Sequence, residues 1–226
     1  MFPDPAGRGK SVSNFCIMED DDDVPQLSAA TLAALQQFYT EKQVQESQDI
    51  EDATSMPSED WQLSQFWYED DTSEKLAKEA IAVAGEHGKI VCLSSPSVYK
   101  KLKELNPVVD SITLLEYDKR FAKYGQDFIF YDYNEPCRLP SNLQGQVDIV
   151  VADPPFLTDV CLEKVKQSIE FMAKDKIILC TGAIMEDSAK SLLGVTPCGF
   201  LPKHSNKLSN TFFCYTNFKP SLLLND

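Results

Sequence analysis

At 226 residues, 43% of them hydrophobic, the chain can build one globular domain with a flanking segment, and no stretch is long and apolar enough to span a bilayer. The net charge of −14 is concentrated in residues 19–60, where twelve Asp and Glu face one Lys, so the remainder is mildly acidic and shows no basic stripe of the kind a phosphate backbone requires. Seven dispersed cysteines (16, 92, 137, 161, 180, 198 and 214) and two histidines, His87 and His204, argue against a disulfide framework, a zinc knuckle or a His-rich metal site. Met1 to Cys16 lack the apolar region of a secretory signal, and the cysteine usage suits a reducing cytosol, so a cytoplasmic location is expected. A chain this acidic prefers a basic protein partner to a nucleic acid.

Three regions are expected. Residues 1–24, rich in Gly, Pro and Ser and ending in the acidic block Glu19 to Asp23, read as disordered. Residues 25–60 read as a helix and an acidic linker. Ser28 can cap a helix over Leu27 to Gln45 with Leu32, Leu35, Phe38 and Tyr39 on one face, and Gln45 to Asp60 is polar. Residues 61–226 read as the main domain. Asp71-Thr72-Ser73-Glu74 forms a capping box for a helix that closes at Gly85 and Gly88. Strand and helix signals then alternate: a strand over Lys89 to Ser95, a helix over Pro96 to Leu105, a strand over Ser111 to Asp118 and a short helix over Lys119 to Tyr124. Strands over Phe128 to Tyr133 and Val147 to Asp153 follow, then a helix over Thr158 to Ala173, a strand over Lys176 to Thr181 and a helix over Ala183 to Leu193. Gly199 to His204 and Thr211 to Phe218 are the last two predicted strands, with no helix between them. This alternation implies an α/β fold: a seven-stranded, doubly wound, mostly parallel sheet closed by an antiparallel C-terminal hairpin.

The most informative motif is Asp153-Pro154-Pro155-Phe156, which ends the apolar strand from Val147 to Ala152. Two prolines stop the strand and stiffen the backbone. Asp153 places an acceptor at the carboxyl end of a strand, where open α/β sheets bind ligands, and Phe156 adds a flat apolar face. The pair suits a substrate with an N–H to bond and a surface to stack; the plainer reading is a turn whose aromatic caps the core. A cofactor in such a sheet lies across the ends of the first strands. Strand one runs into Ser94-Ser95-Pro96-Ser97, small residues without a glycine-rich loop, and an ordinary strand–helix turn would look the same. At the end of strand two, Glu116 is the first choice to accept ribose hydroxyls and Asp118 the second, although either could cap the helix at Lys119. Asp132, at the end of strand three, can accept from an adenine amino group or form an Asx turn. Trp61 to Tyr68 holds four aromatics in eight residues. It reads as a hydrophobic lid, or as a wall over a cofactor in which Phe66 and Trp67 are apolar and Gln65 bonds the cofactor's amino-acid end.

Val150 to Phe156 resembles the [Asp/Asn/Ser]-Pro-Pro-[aromatic] signature of S-adenosylmethionine-dependent amino-methyltransferases. Pro25 to Ser28, Trp61 to Tyr68, Glu116 to Phe121, Phe128 to Tyr133 and Leu179 to Glu186 extend the likeness. Together they resemble the eukaryotic elongation factor 1-alpha lysine methyltransferase 1 family, once labelled N6-adenine-specific DNA methyltransferases, over about Pro25 to Asn217. Met18-Glu19-Asp20 resembles the family's usual start, and Met1 to Ile17 has no counterpart there. The resemblance implies a Rossmann-like methyltransferase fold, S-adenosyl-L-methionine as cofactor, a cytoplasmic location, and methylation of a lysine of elongation factor 1-alpha. Asp153, with Pro154, Pro155 and Phe156, would then position the amine rather than act as a strong base, the Pro154 carbonyl would assist, and Phe156 would pack on the lysine stem and face its cation. Two alternatives share the fold. Methylation of adenine N6 would use the same motif but needs a basic groove, for which Lys100, Lys101 and Lys103 are the local candidates. A non-catalytic binding module is suggested by the non-glycine loop after strand one.

Overall fold

The computed structural model of the chain describes residues 27–51 and 55–224; the expected disorder of residues 1–24 lies outside them. The chain divides into two compact units, Met1–Lys42 and Gln43–Asp226. Helix α1 (Ala29–Glu51) begins two residues after the expected Leu27 but carries the anticipated cap: the Ser28 hydroxyl oxygen accepts the Thr31 N–H at 3.1 Å. It runs six residues past its expected end at Gln45. The stretch read as linker contains neither Gly nor Pro before Pro57, and Glu and Gln are good helix formers.

In the second unit, seven strands form one sheet: β1 (Lys89–Leu93), β2 (Ser111–Glu116), β3 (Phe128–Phe130), β4 (Val147–Ala152), β5 (Ala173–Gly182), β6 (Thr196–Pro197) and β7 (Phe212–Thr216). Their spatial order is β3-β2-β1-β4-β5-β7-β6. The β1–β2, β1–β4, β2–β3 and β4–β5 pairs are parallel, whereas β7 runs antiparallel to both β5 and β6. The doubly wound sheet with an antiparallel C-terminal hairpin is therefore as predicted.

One strand was misplaced. The sixth is the two-residue Thr196–Pro197, not Gly199 to His204. A short edge strand carrying a proline leaves little signal. Residues 199–204 instead run irregularly, with His204 in an isolated antiparallel bridge to Tyr68. The Asp71–Glu74 capping box does not form either. The N-cap of helix α2 (Asp70–Ala84) lies two residues earlier, at Glu69, with no side-chain cap. Asp70 and Asp71 lie in its first turn, where the helix dipole favours acids.

Alternation along the strands covers both faces of the sheet. Ile90, Cys92, Ile149 and Val151 pack with Leu76, Ala77 and Ala80 of α2 and with Val98, Tyr99 and Leu102 of α3 (Pro96–Leu105). Val91, Leu93, Val150 and Ala152 pack with Leu162, Val165 and Ile169 of α4 (Asp159–Met172) and with Ala189 of α5 (Glu186–Leu193). Thr158 caps α4 by accepting the Cys161 N–H. Connections therefore depart to both sides from β1 and β4, and the crevice where the winding reverses opens at their carboxyl ends.

Candidate active site

The backbone at the tip of β4 keeps to the sheet for one residue past the strand. The Asp153 N–H donates to the Leu93 carbonyl at 3.0 Å, and Pro154, lacking an N–H, ends the pairing. The Tyr68 hydroxyl donates to Asp153 Oδ2 at 2.6 Å. Tyr68 is itself fixed: its N–H donates to Ser97 Oγ at 3.3 Å, and its ring lies 4.8 Å from that of His204, which lies 4.7 Å from that of Phe212. The Ser205 N–H donates to the Trp67 carbonyl at 2.8 Å. The aromatic segment before α2 and the loop before β7 are thereby joined into one wall.

Beneath this wall lies a cavity of about 600 Å³, within the range of small-molecule sites. It lies at the crevice between β1 and β4. Ten of the eleven residues singled out from the sequence line it: Gln65, Phe66, Trp67, Ser94, Glu116, Asp132, Asp153, Pro154, Pro155 and Phe156. Asp118 does not, and its candidacy for ribose is corrected here. Its carboxylate binds Arg120, with Nε at 2.8 Å and Nη2 at 2.7 Å, caps the turn through the Arg120 N–H, and accepts from Gln65 Nε2 at 2.9 Å. Burial would push this carboxyl up, but the bonds from Arg120 and Gln65 outweigh burial and hold it below the ordinary range. The same clamp engages Gln65, whose Oε1 accepts the Asp60 N–H and Arg120 Nη2, each at 3.0 Å. Gln65 thus borders the cavity with its amide already committed to protein partners. Trp67 lines the cavity while its Nε1–H donates to the Pro57 carbonyl at 2.9 Å and its ring meets Phe121 edge-on.

Glu116 and Asp153 are different. Glu116 is 7% exposed. Its Oε1 accepts the N–H groups of Tyr117 and Asp118 at 3.0 and 3.1 Å, so its second oxygen remains for a ligand. Burial pushes its carboxyl up to about 7, against the backbone N–H groups that oppose the rise. Burial likewise pushes Asp153 up to about 7; the Tyr68 hydrogen bond opposes this and the Glu116 charge adds to it. Neither carboxyl forms an ion pair among the described residues. Two buried acids without a cation suit a ligand that brings positive charge and hydroxyl donors. His204 is pushed down to about 4 by burial and stays neutral at pH 7. Asp132 forms the anticipated Asx turn, accepting the Asn134 N–H at 2.8 Å, and still lines the cavity.

Ser94 adopts φ 52°, a left-handed conformation that usually selects glycine, and its N–H donates to the Leu115 carbonyl at 2.8 Å. The loop after β1 therefore makes a glycine-like turn without glycine. That removes the observation behind the binding-module alternative.

Several cavity residues were given no role of their own from the sequence: Tyr117, Tyr133, His204, Ser209, Asn210 and Phe212, and Tyr68 beyond its place in the aromatic run. Tyr68 closes the aromatic run and His204 is one of only two histidines, but their pairing joins segments far apart in the chain. The three candidate lysines for a nucleic-acid groove are paired. Lys101 binds Asp70 at 2.5 Å and Glu104 at 2.8 Å, Lys103 binds Asp127 at 2.9 Å, and Lys100 binds Glu104 at 3.4 Å.

The strand order, the antiparallel β7 and a cavity at the switch point define a Rossmann-like, seven-strand methyltransferase fold. A branched-chain polyamine synthase mutein from Thermus thermophilus, solved with N4-aminopropylspermidine and 5'-methylthioadenosine, shares this fold: the TM-score is 0.57 at 13% identity, over 80% of this chain and 67% of that one. A family described as "Probable N6-adenine methyltransferase" matches residues 59–220. EEF1A lysine methyltransferase 1 of Gallus gallus is 53% identical over 90% of this chain and 99% of its own length. The Homo sapiens protein of the same name is 51% identical over 90% of this chain and 96% of its own. The chain belongs to this methyltransferase family.

Proposed function

We propose that the protein is a protein-lysine N-methyltransferase that uses S-adenosyl-L-methionine to methylate a lysine of elongation factor 1-alpha. The observation that carries this reading is the Asp153 carboxyl, presented at the cavity by the two prolines and held from behind by Tyr68. The names of the relatives supply the substrate, and the cytosol, where translation factors work, is the expected place of action.

The cofactor, when bound, supplies an electrophilic methyl group on a sulfonium. Glu116, with one oxygen free at the end of β2, would hold its ribose hydroxyls; Ser94 would border it; and Asp132 would accept from its adenine amino group. Asp153 Oδ2 is occupied by Tyr68, so Oδ1 is the oxygen left to accept an N–H from the incoming amine. A lysine has an ordinary pKa of about 10.4 and must lose a proton before its nitrogen can attack. An acid pushed up to about 7 is far better matched to that proton than an ordinary carboxylate. Asp153 therefore both aims the amine and can take its proton, beyond the positioning role expected from the motif alone. Phe156, with Tyr133 5.7 Å away and edge-on, gives the lysine stem an aromatic channel. Holding the amine in line with the methyl group is itself a large part of the rate gain.

The family description favours adenine as a second acceptor class, since an exocyclic amine also needs an acceptor and a stacking ring. The acidic chain and the paired lysines at positions 100, 101 and 103 weigh against that reading. Labelled cofactor offered with either elongation factor 1-alpha or duplex DNA decides between them. Label is expected in the protein, and label in DNA alone would reverse the conclusion.

The Tyr68–Asp153 contact gives a pH prediction. The hydroxyl's hydrogen bond opposes the rise in the Asp153 pKa, so Tyr68→Phe raises that pKa further. A hydrogen bond to a charged group is worth about 1.5–3 kcal/mol, or about one to two pH units. Activity requires the ionised carboxylate, so the acidic limb of kcat/KM, near pH 7 in the wild type, moves up by about one to two units in Tyr68→Phe. Cofactor affinity measured at pH 9 stays unchanged.

A further inference from the structure

The tips of β4 and β5 meet beside the cavity. A Cβ at Gly182 would fall 2.8 Å from Leu157 Cδ1 and 3.5 Å from Ile184 Cγ2, so the Pro-Pro-Phe-Leu loop and the turn after β5 share one spot. The first turns of α4 and α5 are tied together there by the Ser188 hydroxyl, which donates to Asp159 Oδ1 at 2.5 Å. Across this junction three large apolar side chains face solvent: Ile184 at 82% exposure, Val160 at 62% and Phe156 at 40%. Single exposed aliphatics need no explanation. Three at one junction, one of them also lining the cavity, do. The fringe is acidic, with Asp159, Glu186 and Asp187 exposed. The nearby Lys164 is held by Asn134 Oδ1 at 2.9 Å and lies over the Tyr133 ring.

We propose that this acid-fringed apolar rim, formed by Phe156, Val160 and Ile184, is the docking surface for the substrate protein. The partner it fits is a basic segment that carries an apolar side chain beside the acceptor lysine. The inference rests on the protein-lysine reading above and adds where the substrate is recognised. Phe156 makes the rim continuous with the cavity, so a chain lying on Ile184 and Val160 delivers its lysine next to Asp153. The acidic fringe steers a basic segment to that place and disfavours an acidic one. Because an apolar side chain must be desolvated on the rim, a charge placed there is more damaging than the loss of a methyl group.

The test uses the whole chain and elongation factor 1-alpha as the varied substrate, with cofactor affinity measured separately. Ile184→Asp and Val160→Asp are expected to raise KM for the factor at least tenfold, with kcat within threefold and cofactor Kd within twofold of wild type. The paired change Glu186→Lys with Asp187→Lys leaves the apolar residues in place; it is expected to raise KM severalfold and to flatten its rise with salt. Thermal melting confirms that the variants fold. If wild type methylates the factor and all three variants match its KM, the docking surface is wrong and the function stands. If wild type leaves the factor unmodified, the function falls and the docking surface with it. A dimer of the free protein that Ile184→Asp dissolves would assign the rim to self-association and overturn the proposal.

Discussion

Asp153→Ala lowers kcat for methyl transfer by about a thousandfold while the protein stays folded and binds cofactor. Removing one preorganised polar group that acts on the reacting atoms costs about 10²–10³-fold elsewhere, and here the same atom also receives the proton. The structural cost is small because the Asp153 side chain lines the cavity and takes its one side-chain hydrogen bond among the described residues from Tyr68. Stability moves in the opposite direction to activity. The folded carboxyl titrates at about 7 instead of 3.8, so the fold binds this proton more tightly than the unfolded chain does. The penalty for the buried carboxylate is absent below pH 4, grows between 4 and 7, and is complete above 7, with an upper bound of about 4 kcal/mol by linkage. Asp153→Ala is therefore expected to melt at or above the wild-type temperature at pH 8 and below it at pH 4, where only the lost contact with Tyr68 remains. Asp153→Asn keeps an acceptor and loses the charge: its activity falls less than that of Asp153→Ala, and the limb of its pH profile near 7 disappears.

The second large effect is on cofactor affinity. Glu116→Ala removes the acceptor left free at the end of β2, and Kd for S-adenosyl-L-methionine rises by about 10- to 150-fold, the equivalent of one hydrogen bond to a charged group at about 1.5–3 kcal/mol. Because Oε1 also accepts the Tyr117 and Asp118 N–H groups, Glu116→Gln serves as the milder control. At saturating cofactor, kcat changes less than fivefold, which separates this residue from Asp153. The wild-type affinity should weaken as pH falls through about 7, where burial leaves the Glu116 carboxyl protonated and a poorer acceptor. Calorimetric titrations at pH 6 and pH 8 check this. The alanine variant should lose much of the difference.

The parts of the fold legible in the sequence are those set by local pattern. Strands separated by helices, each buried on both faces, imply a parallel doubly wound sheet, and the Asp-Pro-Pro-Phe run places a stiff acceptor at a strand end. Contacts across long sequence separation were not legible. Glu116 and Asp118 stand two residues apart at the tip of one strand, and either could serve a ribose by position. Arg120 pairs the Asp118 charge and Gln65 donates to the same oxygen, which together decide between them. Gln65 lies more than fifty residues away, so no local pattern could give that answer. Tyr68 and His204 meet for the same reason, across a bridge that only the folded chain creates. Residues 199–204 have apolar character enough for a strand, yet they run irregularly, with Phe200 in the core and His204 at the cavity. The last position in the sheet went to Thr196–Pro197, too short to announce itself. The left-handed φ of Ser94 is the other surprise: a turn that usually selects glycine is made here by serine, whose N–H is fixed by the Leu115 carbonyl.

The central claim is that the tip of β4 grips a lysine amine through Asp153 and presents it to the methyl donor. Mass spectrometry of elongation factor 1-alpha, incubated with cofactor and either wild type or folded Asp153→Ala, tests it most directly. The expected result is a methylated lysine with wild type and an unmodified factor with the variant. Equal methylation by both proteins, or none by either, would contradict it.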